Sequence, residues 1–376
     1  MKSEQVVKLP FYVKATVIII GIFALFTIAY IAKGILIPVV FSVIMAILLN
    51  PVVNLLKRIV FNRVIAILIT LLFAFVIIAA FSGFLVTQFS RFAESWPSLA
   101  VRVDELINNA VNWISGKFDI SEWSIHDWID QARKNLLKSN VALIGSTITT
   151  FGSAVVTLLL IPVYIFLFIF YNSLILEFFK RVFAESQQYR VGEVITQIKS
   201  LIQSYLLGLL MEIGIIAVLE ITALTILGIQ YAVLLGIIGA LLNLIPYIGA
   251  IIAAILPMIV ALATKSSAIY VVYVMIAYYT IQMVDNNIIV PRIVASKVKI
   301  NALFSILVVI VGNAMWGIPG MFLAIPLLAI IKLIFDNIDP LKPWGYLLGD
   351  SVPNYLIKFR KMKTSVPDKD NETSYE

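Results

Sequence analysis

Two acids stand where acids are costly. Glu212 and Glu220 lie inside the apolar run 205–227, and an acid at the centre of a membrane helix costs about 2.5–3.5 kcal/mol on insertion scales, so each should face a cavity or a partner. Eight residues part them, about 12 Å along a helix axis and roughly 80° in rotation, a spacing that reads as two places rather than one site. Glu220 is the deeper. A desolvated carboxyl there can carry a proton in exchange for another cation; the alternative is a protonated Glu hydrogen-bonded across helices. Asp285, Asn286 and Asn287 form a second polar cluster, near the inner end of the apolar run 267–290 and ahead of Pro291 and Arg292. They read either as ion ligands or as a helix cap with an Asp–Arg contact.

Two longer apolar stretches, 228–263 and 301–335, are each interrupted at mid-length. The first breaks at Asn243, Pro246 and Gly249, the second at Asn313, Gly317, Pro319 and Gly320. A broken helix frees backbone N–H and C=O groups that hydrocarbon cannot satisfy, so the break must be sheltered by protein or line a watery cavity. Segments such as 231–244 and 249–263 fall short of the roughly 20 residues needed to cross the hydrocarbon, which predicts re-entrant hairpins. The stretches also resemble one another. Tyr231, Ala232 and Asn243 stand 70 residues before Asn301, Ala302 and Asn313, with Gly249 and Gly320, and Pro257 and Pro326, at nearly the same offset. With one full span between them the hairpins would enter from opposite sides, the inverted-repeat architecture of secondary transporters. The alternative is a small-residue packing face, for which Gly236, Gly239 and Ala240 are suited.

The elements that must hold these residues are membrane helices. Of the 376 residues 61% are hydrophobic and only 13% charged, with a mean hydropathy of +1.01, whereas soluble domains are about half apolar and a quarter charged. Cys is absent and His126 is the single His, which disfavours disulfides, thiol chemistry and His-based metal sites. No enzyme activity, cofactor or metal is expected. The expected fold is all-α: about six full transmembrane helices and two re-entrant helical hairpins.

Spans are predicted at 11–32, 34–53 and 62–87, the first read as a retained span rather than a cleaved signal. Residues 88–140 are polar and carry Trp96, Trp113, Trp123 and Trp128, with apolar residues at helical spacing, which predicts an amphipathic lobe at the membrane surface. Interfacial anchoring or packing on the spans is the plainer role for these tryptophans, ligand binding the sharper one. A fourth span covers 145–171, and an amphipathic stretch with Val191, Val194, Ile195, Ile198, Leu201 and Ile202 on one face leads into the fifth. The organisation is therefore 1–87 for the first three spans, 88–140 for the lobe, 141–204 for the fourth span and an amphipathic helix, 205–336 for a transport core, and 337–376 for a basic tail. Lys57, Arg58, Arg63, Lys180, Arg181, Arg190 and Lys199 favour cytoplasmic termini by the positive-inside rule. That asymmetry and anionic lipid account for the net charge of +7 without any nucleic acid.

The runs Leu241–Gly249, Val284–Ile293 and Val311–Pro326, with the order span, outer lobe, span before them, resemble the signature of the autoinducer-2 exporter family of PerM-like and YdiK-like bacterial membrane proteins. The resemblance covers nearly the whole chain. It implies a multi-pass transporter of the bacterial inner membrane, some members exporting a furanone quorum signal and others exchanging sodium for protons. It also implies homo-oligomers, with a pentamer as the candidate assembly. By position, Asn243, Pro246, Tyr247, Gly249, Asp285, Asn286, Pro291, Gly317, Gly320 and Pro326 match the family pattern. Departures occur at Leu209, where a polar residue is usual after Gly208, at Ile300, Asn301 and Ala302 before the second hairpin, and at Glu220, where a small residue is usual. A lost polar group and a gained acid both alter what a cavity binds.

These observations predict export of a small polar metabolite or signal by alternating access, with proton coupling through Glu220. A monovalent cation/proton antiporter is the alternative of the same kind, and a non-transporting membrane scaffold the alternative of another.

Overall fold

Apolar runs with few interior polar groups fold as helices because a helix satisfies its own backbone where no water is available. The computed structural model describes residues 10–118, 127, 131, 160–245, 249–294 and 300–350. In order the helices are α1 (Phe11–Ile31), α2 (Lys33–Val60), α3 (Arg63–Phe118), α4 (Leu160–Phe170), α5 (Asn172–Val182), α6 (Glu185–Ile226), α7 (Ala232–Leu242), α8 (Gly249–Thr264) and α9 (Ile269–Val284). A π-helical stretch, Asp285–Val294, continues α9, and α10 (Ala302–Trp316), α11 (Ile318–Asn337) and, after a 3-10 turn, α12 (Lys342–Leu348) follow. Five of these, α1, α2, α3, α6 and α11, are long and apolar enough to cross a bilayer, and the bent pair α4–α5 makes a sixth if counted as one span. This is an all-α, polytopic membrane protein.

The polar shift at residue 88 does not interrupt the chain direction. α3 runs for 56 residues with Pro97 inside it, about 84 Å at 1.5 Å per residue and far more than the hydrocarbon thickness. Its distal part leans on the transport core: Phe92 and Leu99 are buried with Leu234, Leu235 and Ala253, and Phe92 meets Tyr231 edge-on at 5.3 Å. Trp96 stacks obliquely on Phe92, whereas Trp113 is exposed. Trp123, His126 and Trp128 lie outside the described residues.

α6 is one helix of 42 residues, so the amphipathic stretch and the fifth span are continuous, as predicted. The predicted apolar face, Ile198, Leu201 and Ile202, packs with Leu323, Ile325 and Ile330 of α11. α6 and α7 then run antiparallel around the turn at Tyr231, which holds a left-handed backbone at φ 59. A Cβ added to Gly236 would meet Ile221, and one added to Gly239 would fall on the Glu220 carboxylate. The small-residue packing face is therefore real, and it is where an acid is accommodated.

The second arm is a true reversal. Gly317, at φ 63, joins α10 to α11, and Gly312 and Gly320 face each other so closely that a Cβ on either would overlap the other's backbone. α11 is 20 residues long, long enough to cross unaided, which sets it apart from the shorter α7 and α8. The first hairpin starts at the C-terminal end of α6, while the second starts beside α12, where the Asn301 N–H donates to the Leu348 carbonyl and Asp339 lies within Coulombic range of Arg190 near the N-terminal end of α6.

α1 buries none of its residues. It is tied to the second hairpin by one bond, the Trp316 indole N–H donating to the Ala29 carbonyl at 3.0 Å. Trp316→Phe removes the donor together with the pyrrole part of the indole, and should lower stability in detergent by at least about 0.5–1.5 kcal/mol. An unchanged melting curve would show that this bond contributes nothing.

Candidate transport site

Helix register builds the site. Antiparallel pairing places Gly239 of α7 against Glu220 of α6, and Asn243, one turn further on, reaches along α6 to Glu212, two turns before Glu220. There α7 ends, and the chain turns so tightly that a Cβ on Gly249 would overlap the Leu242 carbonyl. The break thus presents the Asn243 amide to α6. Its Nδ2 donates to Glu212 Oε1 at 3.4 Å and to Asp285 Oδ2 at 3.0 Å.

Asp285 is the residue least apparent from sequence as a centre. It does not cap the end of a span, because the helix continues past it in π geometry, a form found mostly as short bulges and frequently at functional sites. Asp285 is 1% exposed, and among the described residues its Oδ1 has no hydrogen-bond partner. Buried polar atoms are nearly always paired, so an orphaned carboxylate oxygen marks a place for a proton, a cation or a hydrogen-bonding solute.

Glu220 is 4% and Glu212 7% exposed. The two have different immediate partners, as their spacing predicts. Glu212 meets Asn243, while Glu220 Oε2 accepts from the Tyr278 hydroxyl at 3.3 Å. Asp285 nevertheless lies within Coulombic range of both. The Asn243 amide thus joins Glu212 of α6 to Asp285 of the π stretch, and the Tyr278 phenol holds Glu220. Such an arrangement accepts positive charge and can pass it along. Tyr278 was not singled out by sequence; its position seven residues before Asp285, two helical turns on the same face, is the signal that points to it.

Other candidates fall elsewhere. Asn286 is exposed and accepts from Gln282, and Asn287 is exposed and donates to the Met283 carbonyl. Asn313 is exposed, and its backbone carbonyl accepts the Gly317 N–H. Gly317, Pro319 and Gly320 shape the second reversal without adding a side-chain donor or acceptor to the carboxyl group. Pro246 and Tyr247 lie outside the described residues. Among the described residues no group of three or more His, Cys, Asp or Glu is arranged to hold a metal ion.

Long apolar helices, two reversals and buried carboxyls within them are those of a polytopic membrane protein. The model of the AI-2E family transporter matches residues 18–339, and the chain belongs to that family. YrrI of Bacillus subtilis strain 168, whose name proposes a transport protein, is 26% identical over 261 residues, covering 66% of this chain and 70% of that one. YueF of the same organism, named in the same way, is 33% identical over 112 residues, 30% of each chain. The AI-2 transport protein TqsA of Escherichia coli strain K12 is 30% identical over 124 residues, 33% of this chain and 36% of TqsA. The matched stretch is thus about a third of the length of YueF and of TqsA.

Proposed function

We propose that this protein is a secondary transporter that exports a small polar solute by alternating access, with proton movement linked through Glu212, Asp285 and Glu220. The observation that carries this reading is the Asn243 amide at the first helix break, which donates to two carboxylates on different helices. Motion of the first hairpin against α6 breaks or makes those bonds, so solute access and carboxyl charge change together. The TqsA likeness makes autoinducer-2 the first solute to test.

The chain sits in the bacterial inner membrane with both termini cytoplasmic. Support comes from the gathering of cations at one end of the bundle, where Arg63 donates to the Ile169 carbonyl and Lys199 to Asn172 Oδ1, in keeping with the positive-inside rule. The exposed apolar faces of α1 and α3 offer surface both to lipid and to further copies of the chain, and a pentamer is the assembly we expect native mass spectrometry to report.

In proteoliposomes with an imposed pH gradient, Glu220→Gln and Asp285→Asn each lower proton-coupled solute flux by on the order of tenfold or more, the loss when about 1.4 kcal/mol is added to the barrier. Gradient-driven flux at the unaltered rate in both variants would remove the coupling from the mechanism. The same carboxyls suit a monovalent cation/proton antiporter. That second reading gains if sodium alone, without any organic solute, drives a lumenal pH change that Asp285→Asn abolishes.

A further inference from the structure

α5 has a free apolar stripe that neither the fold nor the carboxyl site employs. Leu174, Phe178 and Val182 are 64%, 60% and 60% exposed, and Tyr171, immediately before the helix, joins them. At 100° per residue these four fall within an arc of about 80°. The opposite side of the helix is occupied: Asn172 Oδ1 accepts from Lys199 of α6 at 2.7 Å, and the Lys180 stem lies over Gly192 of α6. α5 also leaves the direction of α4 by 63°. A helix held along one side, turned away from its span and apolar along the other side has the form of an interfacial helix.

Charge identifies the occupant. Arg63 reaches the Ile169 carbonyl at 2.6 Å, which brings the α2–α3 corner beside the start of α5. That corner carries exposed Lys57 and Arg58 and a fully presented Phe61, 91% exposed, with no acid anywhere in residues 50–63. Lys180 and Arg181 stand at the far end of α5, Arg181 paired with Glu177. Apolar and aromatic side chains flanked by cations fit a phospholipid with an anionic headgroup better than a second protein surface, which would have to bury those charges.

We propose that α5 and the α2–α3 corner form a docking surface for anionic phospholipid, with Leu174, Phe178 and Phe61 among the upper acyl carbons and Lys57 and Arg58 on the headgroup phosphate. The surface is independent of which solute the carboxyl site moves. The chain has no Cys, so single-Cys variants report from one position. In nanodiscs containing phosphatidylglycerol, an environment-sensitive label on Phe178→Cys should be blue-shifted and quenched by a spin label high on the acyl chain. A label on Gln187→Cys, exposed on α6 and turned away from the Gly192 face that meets α5, should instead be quenched by aqueous iodide. Leu174→Cys repeats the measurement should Phe178→Cys fail to fold. Lys57→Gln and Arg58→Gln should each lower the phosphatidylglycerol to phosphatidylcholine ratio retained through purification by roughly fivefold. Iodide quenching of the 174 and 178 labels equal to that at 187 would overturn the proposal. So would cross-linking of two copies through position 178 without lipid quenching, which would make the stripe a subunit contact, or retention ratios unchanged by both neutralisations.

Discussion

Asn243→Leu should abolish proton-coupled flux and destabilise the protein together. The leucine has the same four-heavy-atom branched shape as the amide side chain, though more bulk, and no donor, so Glu212 Oε1 and Asp285 Oδ2 both lose their partner. Hydrogen bonds to charged groups contribute about 1.5–3 kcal/mol each, and a buried acceptor left unpaired carries its desolvation cost in full. Among the described residues the Asp285 Oδ1 already lacks a partner, so in this variant neither oxygen of that carboxyl would have one among them. Transport in proteoliposomes and thermal melting in detergent read the two effects separately. Asn313→Leu is the contrast, because Asn313 is exposed and exposed positions shift stability by within about 0.5 kcal/mol. Equal losses in the two variants would mean that the amide bridge is not what the first break supplies.

Gly320→Ala should cost about 1–3 kcal/mol, the range for forcing volume into a packed site, and should slow transport by prising the second hairpin open. The added methyl would overlap the Gly312 backbone and crowd Trp316, and neither a backbone nor a ring that is bonded to Ala29 yields readily. The same substitution at Gly214 meets nothing within 4 Å, and there alanine should be neutral or stabilising by up to about 1 kcal/mol through helix propensity alone. Paired melting curves decide it. A Gly320→Ala protein as stable as Gly214→Ala would show that the close approach of α10 and α11 is not required.

Much of the fold was legible because hydropathy and punctuation are local. The apolar runs, the breaks at Asn243 and Gly317, and the continuity of the amphipathic stretch into α6 follow from one segment at a time. Two features were not. The polar sequence from 88 predicts an amphipathic helical lobe at the membrane surface but not that it continues α3 without a break as far as Phe118, with the Pro97 ring accommodated. The matching Asn243 and Asn313 suggested equivalent roles, yet one meets two carboxylates and the other is exposed, because a repeat in sequence does not repeat the neighbours. Pro246 and Tyr247, carried over from the family pattern, lie outside the described residues.

The candidate acids were legible for a different reason. A carboxyl in an apolar run is conspicuous whatever surrounds it, so Glu212, Glu220 and Asp285 could be named. Sequence by itself determined the solvent of this protein, its helical class, its breaks and its charged interior residues, because each depends on the chemistry of adjacent positions. Only the tertiary structure decided that Asn243 bridges Glu212 and Asp285, that Tyr278 serves Glu220 and that Gly239 makes room for it. Those relations join residues 19 to 58 positions apart, and their geometry is set by how α6, α7 and α9 cross, a quantity that no single segment contains.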